Sequence, residues 1–173
     1  MAIRSIGGRT PRISDHVFID ESAVIIGDVE LSEGCSVWPG AVIRADDDSV
    51  SIGEGSAIMD MAFAEAPTGR PVMIGPRCIV SHGARLHGCV LKEGVLVGIG
   101  AIVLDGVSVG KGSIIAAGTV LTPGTDVPEN TMMAGVPGRV LRNTTEEERQ
   151  AIHEEVRNVH EKALRYKTDN ASR

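Results

Sequence analysis

The chain has 173 residues, 42% of them hydrophobic, which is enough to bury one core and calls for no second one. Its formal net charge is -6, and no cluster of Lys and Arg stands out that would neutralise a run of phosphates, so nucleic acid is not an expected partner. The longest apolar run, Val95 to Leu104, is too short to cross a bilayer, and the first residues lack a signal-peptide apolar region. We therefore expect a cytoplasmic protein that does not contact membranes.

Aromatic residues make up only 2% of the chain, whereas Val and Ile recur throughout, so the core must consist of small β-branched layers. Cys35, Cys78 and Cys89 are odd in number and form no Cys-x-x-Cys pair. This spacing argues against a disulfide framework and against a zinc knuckle. We expect the three cysteines to be small buried hydrophobic residues.

An aliphatic residue recurs at every sixth position through most of the chain, with interruptions after Ile43, Ala64 and Leu86. A period of six fits a solenoid in which each hexapeptide is a short strand and a corner, and three hexapeptides close a triangular coil. Successive coils stack about 4.8 Å apart. The repeat alone leaves the handedness open. The repeat positions are Ile13, Ile19, Ile25, Leu31, Val37, Ile43, Ile52, Ile58, Ala64, Ile74, Val80, Leu86, Leu91, Val97, Val103, Val109, Ile115 and Leu121.

After residue 143 the period changes to that of a helix. Thr144 and Glu147 match a capping box, and the apolar positions that follow have helical spacing. We expect an amphipathic helix of five or six turns that packs on the solenoid or on an adjacent subunit. The predicted organisation is therefore a hexapeptide-repeat β-helix over residues 1–143, with residues 144–173 forming a C-terminal α-helix and tail of the same domain.

Polar residues fall into two columns on the predicted solenoid. Arg44, Glu65 and His87 each follow a repeat position of the third face in consecutive coils, so they stack as neighbours. Asp60 and His82 form a second column on the preceding face. A carboxylate and an imidazole stacked in this way are able to share one metal ion, since both bind zinc at about 2 Å.

His82 precedes His87 by five residues and lies around a corner, so the two imidazoles of one chain do not easily meet. A cyclic trimer would bring the second face of one chain to the third face of the next. The predicted site then combines Glu65 and His87 with His82 of the neighbouring chain. The alternative is that these histidines only form hydrogen bonds at a subunit interface.

Four segments of the chain resemble the gamma-class carbonic anhydrase family, and the resemblance extends over about residues 10 to 142. It implies an all-β solenoid, a left-handed parallel β-helix of hexapeptide repeats, assembled as a homotrimer. It also implies reversible hydration of carbon dioxide to bicarbonate by a metal-bound hydroxide at the trimer interfaces. The segments are Ser36–Arg44, Ser81–Cys89, Gly98–Gly106 and Ala134–Gly138.

Two of the three His ligands that the family uses match His82 and His87, and the third falls on Glu65. Two His and one carboxylate form a metal site in other proteins, so we expect a divalent metal, zinc first, with iron or cobalt as alternatives. The carboxylate lowers the charge of the centre by one. A bound water should therefore be less acidic than at a three-His site.

The family's Asn-x-Gln pair is replaced by Ala57 and Met59, and without that Gln we expect hydration to be weak. Asp60 matches the Asp that follows it, and Arg44 with Asp46 matches the family's ion pair. Asp47, or another nearby acid, is a candidate for passing the proton to solvent. The catalytic candidates are thus Arg44, Asp46, Asp47 and Asp60.

Two other functions remain open from the sequence. The same fold hosts acyltransferases and thioesterases that act on coenzyme A derivatives, and fold alone does not fix function. A non-catalytic metal-binding scaffold is the other alternative, and the changed residues at positions 57, 59 and 65 favour it.

Overall fold

The computed structural model describes residues 2–171, and side-chain surroundings for residues 2–169. One helix, α1, spans Glu146–Ala171. The strands in chain order are β1 (Ala2–Arg4), β2 (Arg12–Ile13), β3 (Phe18–Ile19), β4 (Val24–Leu31), β5 (Ser36–Val37), β6 (Val42–Ile52), β7 (Ala57–Ile58), β8 (Phe63–Glu65), β9 (Val72–Ile74), β10 (Ile79–Val80), β11 (Arg85–His87), β12 (Val90–Leu91), β13 (Leu96–Val97), β14 (Ile102–Val103), β15 (Ser108–Val109), β16 (Ile114–Ile115), β17 (Val120–Leu121), β18 (Asp126–Val127), β19 (Thr131–Ala134) and β20 (Arg139–Asn143).

The strands form a three-sided solenoid with parallel ladders on every side. Face I contains β2, the second half of β4 and of β6, then β9, β12, β15 and β18. Face II contains β3, β5, β7, β10, β13, β16 and β19. Face III contains β1, the first half of β4 and of β6, then β8, β11, β14 and β17. The sixfold period therefore predicted the architecture correctly, as an all-β solenoid with a C-terminal helix.

The repeat positions fill the interior of the prism. Ile25, Ile43 and Leu86 of face III are fully buried, as are Val37 and Val97 of face II. Branched aliphatic side chains from the three faces thus meet along the axis in one continuous core. The three cysteines are buried free thiols, as the sequence predicted.

The interruptions of the repeat all fall at the corner between face III and face I. An insertion at Asp46–Asp48 shifts the register between β4 and β6, and a second insertion forms the turn at Pro67–Arg70. One residue is missing after Leu86, and Gly88 turns this shorter corner with a φ of 55°. The polar columns lie beside this corner.

Face II ends in an antiparallel hairpin of β19 and β20, and α1 then folds back over the same face. Ile152, Val156, Val159 and Ala163 of α1 pack on outward side chains of face II, including Phe18 and Trp38. The predicted apolar stripe and its packing on the solenoid are confirmed. With 26 residues, α1 is longer than the five or six turns expected.

The predicted capping box was wrong by one residue. The backbone N–H of Thr145 donates to Glu148 Oε2 at 2.9 Å, and the N–H of Glu148 donates to Thr145 Oγ1 at 3.2 Å. Thr144 is buried instead, and its hydroxyl donates to the carbonyl of Gly112 in the prism. Tertiary contact therefore selects the second of two overlapping Thr-x-x-Glu sequences.

Across residues 2–171, the structure contains no helix that is both long and apolar enough to span a membrane.

Candidate functional site

The first polar column lies on the outside of face III, as predicted. Parallel pairing of β6, β8 and β11 places Glu65 opposite Arg44 on one side and opposite His87 on the other. Side chains in a strand alternate between the two faces. Because Ile43, Ala64 and Leu86 point inward, all three polar side chains project outward next to one another.

The two carboxylate oxygens of Glu65 face different neighbours, Arg44 and His87. Glu65 Oε1 accepts a short hydrogen bond from Arg44 Nη2, and its Oε2 lies 3.9 Å from His87 Nε2. The hydrogen bond with Glu65 raises the pKa of Arg44 above its ordinary value. Arg44 Nε also faces Asp46 Oδ1 at 3.4 Å, and neither of these two buried atoms has a hydrogen bond within the described residues.

His87 has a second partner that the sequence analysis missed. Its Nδ1 lies 2.6 Å from Asp105 Oδ1, in the next coil of the prism. The signal for this contact was present in the repeat, because Asp105 occupies the position two residues after Val103 that stacks on Gly88. Because residue 88 is a glycine, the carboxylate of Asp105 has room to reach the imidazole of His87.

His82 and Asp60 occupy the second column, at the corner between faces II and III. His82 Nδ1 lies 3.0 Å from Asp60 Oδ2, and the imidazole is 52% exposed. Its Nε2 is therefore available to a group outside the chain. Asp60 accordingly sits beside His82 and not in the Arg44 column.

The remaining candidates are placed around these columns. Asp47 is exposed in the insertion between β4 and β6, one residue from Asp46. Ala57 and Met59 are buried where α1 packs on face II. Among residues 2–169, no group of three or more His, Cys, Asp or Glu side chains of a single chain is arranged to hold a metal ion.

Sequence comparison connects this geometry to known proteins. A family model described as bacterial transferase hexapeptide (six repeats) matches residues 10–45 and 88–123. A Methanocaldococcus jannaschii protein named "Probable carbonic anhydrase" is 51% identical over 154 residues, which cover 89% of this chain and 92% of that protein. Gamma carbonic anhydrase 1 of Arabidopsis thaliana, a mitochondrial protein, is 33% identical over 98% of this chain and 64% of its own length.

The chain belongs to the gamma-class carbonic anhydrase family. Its fold is the left-handed hexapeptide-repeat β-helix of that family. A solved structure of a hexapeptide transferase family protein from Anaplasma phagocytophilum superimposes with a TM-score of 0.92 at 33% identity, covering 95% of this chain and 98% of that one. The same architecture therefore also occurs under a transferase name.

Membership in the carbonic anhydrase family implies a bound divalent metal, and the residues present fit such an ion. Two ligands of a tetrahedral zinc ion with bonds of about 2.1 Å lie about 3.4 Å apart. Glu65 Oε2 and His87 Nε2 are 3.9 Å apart, so a shift of a few tenths of an ångström brings both to one centre. A carboxylate at Nδ1 of each imidazole leaves both Nε2 atoms free, as in carboxylate–histidine–zinc sites.

Proposed function

We propose that this protein is a gamma-class carbonic anhydrase that catalyses the reversible hydration of carbon dioxide at a site formed by Glu65, His87 and His82 of a neighbouring subunit. The observation that carries the proposal is the pair Glu65 and His87. Their free ligand atoms face each other on the outside of the prism, in a chain of this family. Both groups are ordinary zinc ligands.

Glu65, His87 and the neighbouring subunit's His82 would hold a divalent ion, with zinc as the first candidate, which when bound would supply Lewis-acid activation of water. Iron and cobalt suit the same two-histidine, one-carboxylate donor set. The chain's own residues hold and orient the ligands. His87 is fixed at Nδ1 by Asp105, and His82 at Nδ1 by Asp60.

Arg44 and Asp46 organise the carboxylate side of the site. Arg44 holds Oε1 of Glu65, which directs Oε2 toward His87. We propose that Asp47, which is exposed on the adjacent corner, passes protons between the site and bulk water. Met59 falls where the family resemblance implies a Gln, and its side chain has no amide to position a substrate. We therefore expect a turnover number below that of an enzyme that has this Gln.

A homotrimer is part of the proposal because His82 belongs to a different column from Glu65 and His87. The outside of face III supports it. Between the polar positions this face carries a column of half-buried apolar side chains, Val24, Val42, Phe63, Ile102 and Val120, which the exposed Arg85 interrupts between Phe63 and Ile102. A threefold arrangement that covers this column closes on itself without leaving an open end.

We also place the protein in the cytoplasm. Its three cysteines are free thiols in the described structure, and free thiols are the usual state of cysteines in reducing compartments.

Acyl transfer from a coenzyme A thioester is the second candidate function, favoured by the likeness to the transferase family protein. His82 presents an exposed Nε2 with Nδ1 held by Asp60, which is the arrangement of a general base. Acyl transfer differs from carbon dioxide hydration in that it would not require Glu65 or added zinc.

The proposal is tested with Glu65→Ala and Glu65→His, each compared with the parent protein for zinc affinity and for carbon dioxide hydration at equal zinc occupancy. Loss of an outer partner of a ligand costs about 10- to 100-fold in metal affinity. We expect Glu65→Ala, which removes a ligand, to weaken zinc binding by more than about 100-fold. Glu65→His should bind zinc and show higher activity at neutral pH, because a three-His centre carries one more positive charge.

Glu54 provides the matched control. It is an exposed glutamate at another corner of the prism, and Glu54→Ala and Glu54→His should leave zinc affinity and activity unchanged. His82→Ala and His87→Ala should each abolish stoichiometric zinc binding while the circular dichroism spectrum is retained. The proposal is wrong if Glu65→Ala binds zinc as tightly as the parent and Glu65→His gains no activity at any pH. Zinc-independent acyl transfer would establish the second candidate.

A further inference from the structure

Asp105 is the nearest carboxylate to His87, although the repeat places it one coil away. The distance from Asp105 Oδ1 to His87 Nδ1 is 2.6 Å, shorter than the 3.9 Å between Glu65 Oε2 and Nε2 of the same ring. The imidazole thus lies between two carboxylates that approach different nitrogens. Only the Nε2 side faces the candidate metal position.

The local backbone is shaped to permit this contact. Leu86 and Leu91 are five residues apart, one fewer than the regular period of six, and Gly88 turns the shortened corner. A Cβ atom on Gly88 would lie 2.7 Å from Asp105 Oδ1 and 3.0 Å from Arg70 Cβ. The carboxylate therefore reaches His87 through space that any other residue at position 88 would fill, and Arg70 packs against the same space.

The second histidine shows the same arrangement. His82 also meets a carboxylate, Asp60, at Nδ1 and leaves Nε2 open. The imidazole on face III and the imidazole at the corner between faces II and III are thus both oriented at Nδ1 by a carboxylate. An incidental surface ion pair would not need to select one ring nitrogen, whereas a metal ligand must be unprotonated at the nitrogen that binds.

We propose that Asp105 is a positioning residue whose carboxylate accepts a hydrogen bond from Nδ1–H of His87 and so keeps Nε2 unprotonated and directed at Glu65. Asp105 does not touch the metal in this role. Its effect on zinc affinity rests on the proposed function, but its effect on the His87 tautomer does not. The two consequences can therefore be measured separately.

The first experiment uses metal-free protein labelled with ¹⁵N at its histidines, of which there are only five. His87→Gln identifies the His87 signals. At a pH where the ring is neutral, the parent should show His87 protonated at Nδ1, and Asp105→Ala should shift it to a mixture of both tautomers. Asp105→Asn, whose amide oxygen still accepts a hydrogen bond, should retain most of the Nδ1–H form.

The second experiment measures zinc affinity of the full-length protein by competition with a chromophoric chelator. Asp105→Ala should weaken binding by about 10- to 100-fold, and Asp105→Asn by less. Asp126→Ala is the control, since Asp126 is an exposed aspartate on face I of the same prism. It should change neither the His87 spectrum nor zinc affinity.

An unchanged His87 tautomer in Asp105→Ala overturns the inference, whatever the zinc affinity is. If the tautomer shifts but the parent itself binds no zinc, Asp105 orients His87 as inferred and the proposed function is wrong. If the tautomer shifts and zinc affinity equals that of Asp126→Ala, the orientation is real but has no part in metal binding, which overturns the second consequence. Thermal unfolding of each variant separates these results from loss of fold.

Discussion

Glu65 is the carboxylate of the proposed metal site, and its surroundings offset part of the negative charge that it brings. A carboxylate ligand makes the centre one charge less positive, but Arg44 is bound to the opposite oxygen of the same carboxylate. The guanidinium draws electron density from Glu65 and places a positive charge beside the centre. Glu65→His would leave Arg44 with Asp46 as its remaining partner.

The cysteines lead to a prediction about reactivity and pH. Burial raises the pKa of Cys35 to about 11 and that of Cys78 to about 12. An unfolded cysteine titrates at about 8.5, so the neutral thiols favour the folded state below that pH. This contribution is lost as the pH rises from about 8.5 toward 11. We expect the free energy of unfolding to fall over that range.

Thiol labelling checks the same prediction directly. A chromogenic disulfide reagent at pH 8 should label none of the three cysteines in the native protein and all three in denaturant. Cys35→Ala with Cys78→Ala should flatten the decline in stability between pH 8.5 and 11. Rapid labelling of a native thiol would show that the prism opens locally and that burial does not protect it.

At the level of strands and corners, the sequence predicted which residues stack but not which of them touch. The column of Arg44, Glu65 and His87 follows from counting repeats, since each inward aliphatic residue fixes the direction of the next side chain. The same counting stacks Asp105 on Gly88, but it does not show that the side chain of Asp105 contacts His87. That side chain reaches back across a coil at an irregular corner, and such a contact depends on the missing side chain of Gly88.

The start of α1 was ambiguous for a related reason. Thr144 with Glu147 and Thr145 with Glu148 both satisfy the capping-box spacing, and local sequence does not choose between them. The choice depends on Gly112, which is 32 residues earlier in the chain and whose carbonyl accepts a hydrogen bond from the hydroxyl of Thr144. Helix ends set by such distant contacts cannot be located from local propensity.

The capping box leads to a prediction at the level of the helix. Hydrogen bonds from Arg142 and from the backbone of Thr145 lower the pKa of Glu148 to about 2. A carboxylate with a depressed pKa stabilises the folded state above its unfolded pKa of about 4.3 and loses this effect as the pH falls toward 2. Glu148→Gln should therefore reduce stability at pH 7 and remove part of the acid dependence between about pH 4.5 and 2.

Urea unfolding followed by circular dichroism and by Trp38 fluorescence measures this effect. Trp38 is the only tryptophan and lies 5.4 Å from the ring of Tyr166 in α1, so its emission reports helix docking. Thr145→Ala should cost about 1 kcal/mol, as for other N-caps. Glu161→Gln, an exposed substitution in the middle of α1, is the control. Equal pH profiles for Glu148→Gln and the parent would contradict the assigned cap.

On the scale of the whole molecule, the three faces of the prism have different exteriors. The outward side chains of face I are mostly polar, and Arg12, Glu30 and Asp126 among them are exposed to solvent. Those of face II are covered by α1. Face III has the apolar column described above, and no helix or strand of residues 2–171 lies over it. The polar ligand columns lie beside the uncovered face, which is why assembly and metal binding should be coupled.

This coupling gives the last prediction. Ile102 belongs to the apolar column of face III, and Ile102→Glu would place a charge in the proposed subunit contact without entering the interior of the prism. Burying this carboxylate in the contact would cost several kcal/mol, which pairing with the neighbouring Arg85 offsets only in part, so we expect light scattering to show a monomer where the parent should be a trimer. Zinc content should fall with the trimer, because His82 would no longer meet Glu65 and His87, while the circular dichroism spectrum stays that of the parent.

Met73→Glu is the matched control for Ile102→Glu. Met73 is an outward, half-exposed apolar residue at the corresponding position of face I, where no subunit contact is proposed, and its substitution should leave a zinc-loaded trimer. Both variants add the same charge to the same kind of short strand. A difference in assembly between them would therefore result from the face that carries the substitution and not from the added charge itself. A parent protein that is monomeric and binds zinc stoichiometrically would contradict the shared site. An Ile102→Glu variant that remains a zinc-loaded trimer would instead place the subunit contact on another part of the prism.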